Sequence, residues 1–286
     1  MKRLNRPAKS VVDVLNILKT DTSQKSVFLD IDSIVGILSD RENLYIEKVE
    51  DNTLFQIPHE QNIFSSRVNK AKLTSYYKYR LANTKMANGR KFYDEIILSA
   101  PQNTCPYCTI RTVKTIDHFL PKGEYPSYSI TPANLVPSCT DCNIGKKTSY
   151  PTSQDNQTFH PYFDKVDDEC WIKAVLKQTE PLSFQYEVIR PAGWDNNKLN
   201  RALSHFIGYN INQLFSNEAG RELRGMQHLL KDLFSKDRNI LKAHLDDTYN
   251  SCLNGLGTLD WKTLMYLELS TNNWFLDGCM GVNFFN

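Results

Sequence analysis

Apolar residues recur three and four apart over residues 11–19, the spacing of one helix face. Val27-Phe28-Leu29-Asp30-Ile31 and Thr53-Leu54-Phe55-Gln56-Ile57 alternate and predict strands, with Asp30 and Asp32 as strand-end residues. The pattern is helical again over 63–100, interrupted at Asn88-Gly89 and ended by Pro101. Residues 101–163 lose this regularity. Eight of the chain's 12 prolines fall there, which predicts short elements joined by loops. Beyond them, 182–189 alternates like a strand, and helical spacing covers 197–217, 218–234, 240–253 and 261–270. The expectation is an α+β chain, mainly helical, in three parts: a mixed α/β region at 1–100, a compact core at 101–163, and a strand plus helices at 164–286. No internal repeat is present.

Composition narrows the class. With 41% hydrophobic and 23% charged residues, the 286-residue chain can bury a sizeable core, which excludes wholesale disorder. No apolar run approaches the roughly 18 residues a membrane span needs. The stretch 26–38 comes nearest and is broken by Asp30 and Asp32. The basic start, residues 1–7, has no apolar run behind it and does not read as a secretory signal, so a cytoplasmic protein without membrane association is expected. Net charge is only +2, but residues 67–91 hold eight basic side chains and no acid, leaving −6 for the remainder. Tyr76, Tyr77 and Tyr79 lie among those charges. Such a stretch can track a phosphate backbone; the alternative is a solvated helix face.

Seven cysteines in a chain without a signal peptide argue against a disulfide framework. Cys170, Cys252 and Cys279 are scattered and read as buried small side chains. Cys105, Cys108, Cys139 and Cys142 form two Cys-x-x-Cys pairs 30 residues apart, the donor set of a closed tetrahedral zinc site. A redox pair would need one such motif in a thioredoxin-like βαβ context, which is absent. The gap is too long for a plain zinc ribbon, so further structure lies between the knuckles.

That insert contains Thr115-Ile116-Asp117-His118-Phe119-Leu120-Pro121-Lys122 and then Pro132-Ala133-Asn134-Leu135-Val136-Pro137. It runs into Cys139-Thr140-Asp141-Cys142-Asn143-Ile144-Gly145-Lys146-Lys147. In this order the residues resemble the HNH endonuclease family, the ββα-metal nucleases, in the form stapled by four cysteines with Asn in the last position. Other motifs fit less well. Leu120 stands where a zinc deaminase needs Glu, Thr140 stands where a P-loop needs its first glycine, and too few Cys and His lie nearby for an eight-ligand cross-brace.

The resemblance implies a fold, roles and a cofactor pair. A zinc-stabilised ββα-metal core would sit between helical flanks. His118 would be the general base, Asp117 and Asn143 ligands of a catalytic Mg2+ or Mn2+, and Asn134 the group that orients His118. Lys146 and Lys147 would hold substrate phosphate. Plainer readings stay open: Asn134 as a turn cap, Asn143 as a helix cap, the lysines as solvated charge. His160, in a His-Pro-Tyr-Phe-Asp string, could add a polar group for substrate or simply pack. His205 reads as a packing residue. With the Thr-Cys-Pro-Tyr-Cys and Asp-His-Phe-Leu-Pro-Lys strings, the chain also resembles the nuclease subunit of Septu-type anti-phage systems. That likeness implies an ABC/SMC-type ATPase partner. The expected substrate is DNA; the alternatives are RNA, as for a tRNA-cutting toxin, or a zinc-stabilised module that binds nucleic acid without cutting. Oligomeric state is not legible.

Overall fold

Ser10 accepts from the Asp13 backbone N–H while its own N–H donates to the Asp13 carboxylate, a reciprocal cap that opens α1 (Val11–Thr20). Val11, Val14, Leu15 and Leu18 of α1 then face inward. The computed structural model of the chain describes residues 1–60, 63–146, 149–279 and 282–284. It divides into two compact units, Met1–Asp164 and Lys165–Asn286.

In the first unit α1 is followed by α2 (Lys25–Asp32), α3 (Val35–Glu50), α4 (Lys70–Tyr76) and α5 (Ala87–Leu98). The strand expected at 27–31 is therefore helix α2. That short window fits both periods, and burial decides between them: Val27 and Ile31, four apart, are buried while Leu29 is 53% exposed. Likewise 53–57 forms a 3-10 turn, Leu54–Gln56, with Leu54 and Ile57 buried three apart. Asp30 is not a strand end. It is buried on α2 and pairs with Arg67 at 3.2 Å and Lys72 at 2.5 Å, so two of the eight basic residues at 67–91 are neutralised from outside the run.

A π-helical turn, Tyr77–Leu81, continues α4. The break before α5 falls at 82–86 rather than at Asn88-Gly89. Gly89 instead lies inside α5, where a Cβ would stand 2.0 Å from the Arg80 carbonyl oxygen, so only glycine permits this approach. Asp21 accepts from the Asn88 and Gly89 N–H groups at 3.0 and 2.7 Å, satisfying the helix start.

Two short strands follow, β1 (Thr115–His118) and β2 (Leu135–Ser138), paired antiparallel with Asp117 opposite Val136 and His118 opposite Leu135. Helix α6 (Thr140–Lys146) begins two residues after β2 ends. Ile116, Ile130 and Leu135 share one core with Val14, Leu18, Ile31, Leu73, Phe92 and Ile96. The N-terminal helices and the strand-strand-helix segment are thus a single packed body, although the sequence pattern divides them at residue 100.

The second unit opens with an antiparallel hairpin, β3 (Ile172–Lys177) and β4 (Ser183–Val188). Helices α7 (Asn196–Gly208), α8 (Ile211–Lys236), α9 (Arg238–Leu256), α10 (Trp261–Thr271) and α11 (Asn273–Leu276) follow. The first break between helices comes at Tyr209-Asn210, with Asn210 left-handed at φ 52°, and not at residue 217, so α8 is one long helix. Among the described residues no helix is long and apolar enough to cross a membrane. The chain is α+β and mainly helical, with two small sheets.

Candidate metal and catalytic centre

The four knuckle cysteines meet. Their Sγ atoms all lie within 4.8 Å of one another and all four residues are buried. A tetrahedral zinc–thiolate site has S···S edges of about 3.8 Å, so little movement separates this cluster from coordination. Its protonation supports the fit. Hydrogen bonding to Cys105 pulls the Cys108 thiol down to about 7, whereas hydrogen bonds to the other three sulfurs push Cys142 up. Four thiolates cannot stand this close without a cation among them, and a soft divalent ion is the species that would displace the thiol protons. The cluster could hold zinc. The chain's first residues brace it: Lys2 N–H donates to the Pro106 carbonyl and Leu4 N–H to the Pro161 carbonyl.

Tyr107, between Cys105 and Cys108, connects the cluster to β1. Its hydroxyl donates to Asp117 Oδ2 at 3.0 Å. Lys146, at the last turn of α6, donates to the same oxygen at 2.9 Å and also to the His118 and Phe119 carbonyls at 2.7 and 2.6 Å. Burial pulls the Lys146 ammonium pKa down, with Asp117 opposing. Lys146 therefore faces inward on Asp117 and not outward to solvent. Lys147 lies outside the described residues.

Asn143, one turn earlier on α6, directs its Nδ2 to Thr115 Oγ1 and the Ile116 carbonyl, both at 3.4 Å. Its side-chain oxygen accepts no hydrogen bond among the described residues. The amide thus lies along β1 at Thr115 and Ile116. A carboxylate and an amide oxygen are the hard donors that Mg2+ or Mn2+ takes, so these residues fit such an ion in donor type.

His118 is 6% exposed, and its Nε2 lies 2.9 Å from the Ser129 carbonyl oxygen. A carbonyl only accepts, so Nε2 carries the proton and Nδ1 is the basic nitrogen. Tyr77 of the π-helical turn meets the ring edge-on at 4.4 Å, and the Lys122 ammonium stands 5.2 Å from the Tyr77 ring. Burial, reinforced by the Lys122 and Lys146 charges, pushes His118 down to about 3 despite the Ser129 bond. The ring is neutral at physiological pH. Ser129, Tyr107, Tyr77 and Lys122 are parts of the centre that motif reading did not single out. Lys122 and Tyr107 stand within the strings that carry the resemblance and Tyr77 within the basic stretch, but a backbone carbonyl such as that of Ser129 leaves no sequence signal.

Asn134 does not touch the His118 ring. It is wholly buried and clasps the intervening loop, accepting from Leu120 N–H at 2.7 Å and donating to the Leu120 and Tyr128 carbonyls at 3.0 Å. It thereby ties Leu120, two residues after His118, to Tyr128, which neighbours Ser129. His160 requires a correction. It is 0% exposed; Nδ1 accepts from Tyr162 N–H at 3.2 Å, Nε2 meets the Tyr45 hydroxyl at 3.1 Å, and Phe119 packs at 4.2 Å. With both nitrogens engaged in the interior, it takes the packing alternative. His205 is likewise fully buried, against Trp171 and Tyr209.

The basic stretch is partly consumed by structure. Arg67 and Lys72 bind Asp30, Arg90 binds Asp94, and Tyr76 and Tyr77 are buried. Lys78, Lys85 and Lys91 are exposed, and the Lys78 ammonium lies 4.9 Å from the ring of Tyr79, itself 54% exposed.

No protein-family model and no solved structure matches the chain. Septu protein PtuB of Bacillus thuringiensis is 33% identical over 91 residues, 30% of this chain and 34% of PtuB. Protein ea31 of Escherichia phage lambda is 33% identical over 237 residues, 78% of this chain and 78% of that protein. A contiguous match of that extent must contain residues 105–146 wherever it begins. At this identity and coverage the chain belongs to the family of phage lambda's protein ea31.

Proposed function

We propose that the chain is a metal-dependent HNH-type endonuclease that hydrolyses phosphodiester bonds in DNA and leaves 5′-phosphate and 3′-hydroxyl ends. The observation that carries this reading is a convergence on one strand pair and the helix behind it. A neutral histidine of fixed tautomer and a buried carboxylate on β1, and an asparagine amide on α6, lie in the segment that the buried four-cysteine cluster brackets. Zinc in the cluster holds the strands and α6 together. Asp117 and Asn143 would hold Mg2+ or Mn2+, which when bound supplies charge stabilisation to the phosphate and the leaving oxygen.

The remaining chemistry belongs to the chain. His118 Nδ1 takes the proton of the attacking water, and the Ser129 carbonyl keeps the ring oriented and favours the imidazolium that forms. Asn134 holds the loop on which Ser129 sits. Lys78, Lys85 and Lys91 extend from the segment that packs on His118 through Tyr77, where they meet the substrate backbone. The PtuB likeness, confined to part of the chain, supports a defence-related role; the ABC/SMC-type ATPase that would control it is what the sequence resemblance implies.

Cleavage of supercoiled plasmid by zinc-loaded protein is the test, with Mg2+, without it, and with His118→Ala, beside an RNA of similar length. Nicking that needs both the ion and His118 is expected, with the variant slower by about 10²–10⁴-fold. Folded protein that cuts neither alone nor with a co-purified ATPase overturns the reading.

A further inference from the structure

The Lys146 ammonium has three acceptors, Asp117 Oδ2 and the His118 and Phe119 carbonyls, one for each of its N–H groups. Its side chain is 10% exposed, and the Phe119 ring lies 5.0 Å away. Tyr107 donates to the same Asp117 oxygen. Asp117 thus has one oxygen taken by two donors and its charge matched before any metal arrives. Lys122 adds a second positive charge, close enough to act on both Asp117 and His118. His118 and Asn143 are neutral. Asp117, Lys146 and Lys122 together carry one negative and two positive charges.

A divalent ion entering this centre alone meets net repulsion. A phosphodiester anion entering with it reverses the sign. We infer that Lys146 makes metal binding at Asp117 depend on the nucleic acid: ion and phosphodiester bind as a cooperative pair, and the free protein holds the catalytic ion weakly. The inference rests on the nuclease reading and deepens it. Linkage makes the coupling reciprocal, so the ion tightens DNA by the factor by which DNA tightens the ion. A nuclease built this way stays metal-poor until substrate is in place. If Lys146 merely fastens α6 to β1, removing it weakens metal binding; if its charge sets the coupling, removing it strengthens metal binding without DNA.

Mn2+ binding is measured by electron paramagnetic resonance on the zinc-loaded full chain carrying His118→Ala, with and without a short DNA duplex. In this parent, DNA is expected to tighten Mn2+ by about tenfold or more. Adding Lys146→Met is expected to tighten DNA-free Mn2+ binding by about tenfold or more and to shrink the effect of DNA. Lys146→Arg keeps the charge and should leave both values near the parent's. Absence of coupling in the parent overturns the inference, and so does unchanged or weaker DNA-free Mn2+ binding in a Lys146→Met chain of unchanged zinc content. Asp117→Asn separates the two levels. If it abolishes Mn2+ binding while Lys146→Met fails to tighten it, only the coupling is wrong; if it leaves Mn2+ binding intact, the metal-site reading falls as well.

Discussion

The two units bury different things. Among the described residues, Met1–Asp164 buries eleven polar or charged side chains and Lys165–Asn286 buries four. Nine of the eleven lie between Asp117 and His160. A buried polar group is costly unless its partners are in place, so a region that concentrates them is organised around holding those groups rather than around stability. The second unit is built as an ordinary core: α8 buries Leu214, Phe215, Ala219, Leu223 and Leu230, and α10 buries Leu264, Met265 and Leu269. Both units thus bury an apolar core, and the first adds to it a concentration of buried polar side chains and the four cysteines.

The largest expected effect tests whether sulfur carries the first unit. Cys142→Ser removes a ligand from the cluster, and structural zinc contributes on the order of 10 kcal/mol to domains of this kind, as much as a domain's whole stability. Hydrogen exchange resolved by segment should lose protection at β1, β2 and α6 while α8–α10 keep theirs; equal loss in both units breaks the comparison. Next comes acid. The folded-state pKa of His118, about 3, lies below the ordinary 6.5. Between those values the unfolded chain binds a proton that the folded chain does not. Stability is therefore fully present above pH 6.5 and falls as pH drops toward 3, by about 5 kcal/mol in all. Urea titrations without Mg2+ should show that slope, and His118→Asn should remove it.

Two core substitutions of similar size should then part company. Leu269→Ala, at a fully buried site on α10, is expected to cost about 3 kcal/mol in urea unfolding and to leave plasmid cleavage unchanged. Asn134→Ala strands the Leu120 N–H and two carbonyls, costs about 2 kcal/mol, and should slow cleavage because the loop bearing Ser129 loosens. Loss of cleavage in the first variant, or its retention in the second, would erase the functional distinction between the units.

Legibility follows the same division. The cysteine quartet was readable because metal ligation fixes residue type and spacing, whereas Asp117, His118, Asn134 and Asn143 stand out only by the order in which they resemble a known motif. The bond from Tyr107 to Asp117 and the part of Ser129 were not readable, since a motif string does not say where a hydroxyl points and a main-chain carbonyl carries no pattern. Helix α3 escaped notice because its inward face, Leu38, Glu42, Tyr45 and Val49, includes a charge: Glu42 accepts from Val11 N–H at 2.8 Å, a tertiary contact that overrides periodicity. Strand β3 did carry a signal, Ile172, Ala174 and Leu176 alternating with Lys173 and Lys177, and the turn-rich sequence before it obscured the start.

The smallest effect on stability is expected at the surface of the first unit, where Lys78, Lys85 and Lys91 are exposed. No acid within 67–91 opposes them, and the buried Asp30 is already occupied by Arg67 and Lys72. Replacing all three with Ala should leave the unfolding midpoint nearly unchanged, within about 0.5 kcal/mol per site. Binding to DNA should nevertheless weaken. If each lysine meets one phosphate, the slope of log affinity against log salt falls by about 0.9 for each, or nearly 3 together. Binding isotherms at several salt concentrations measure that slope. A slope unchanged by the triple substitution would move the DNA path off the segment that packs on His118 through Tyr77. The polar interior would then stand without a substrate groove beside it, and Tyr77 would serve only to bury the histidine ring.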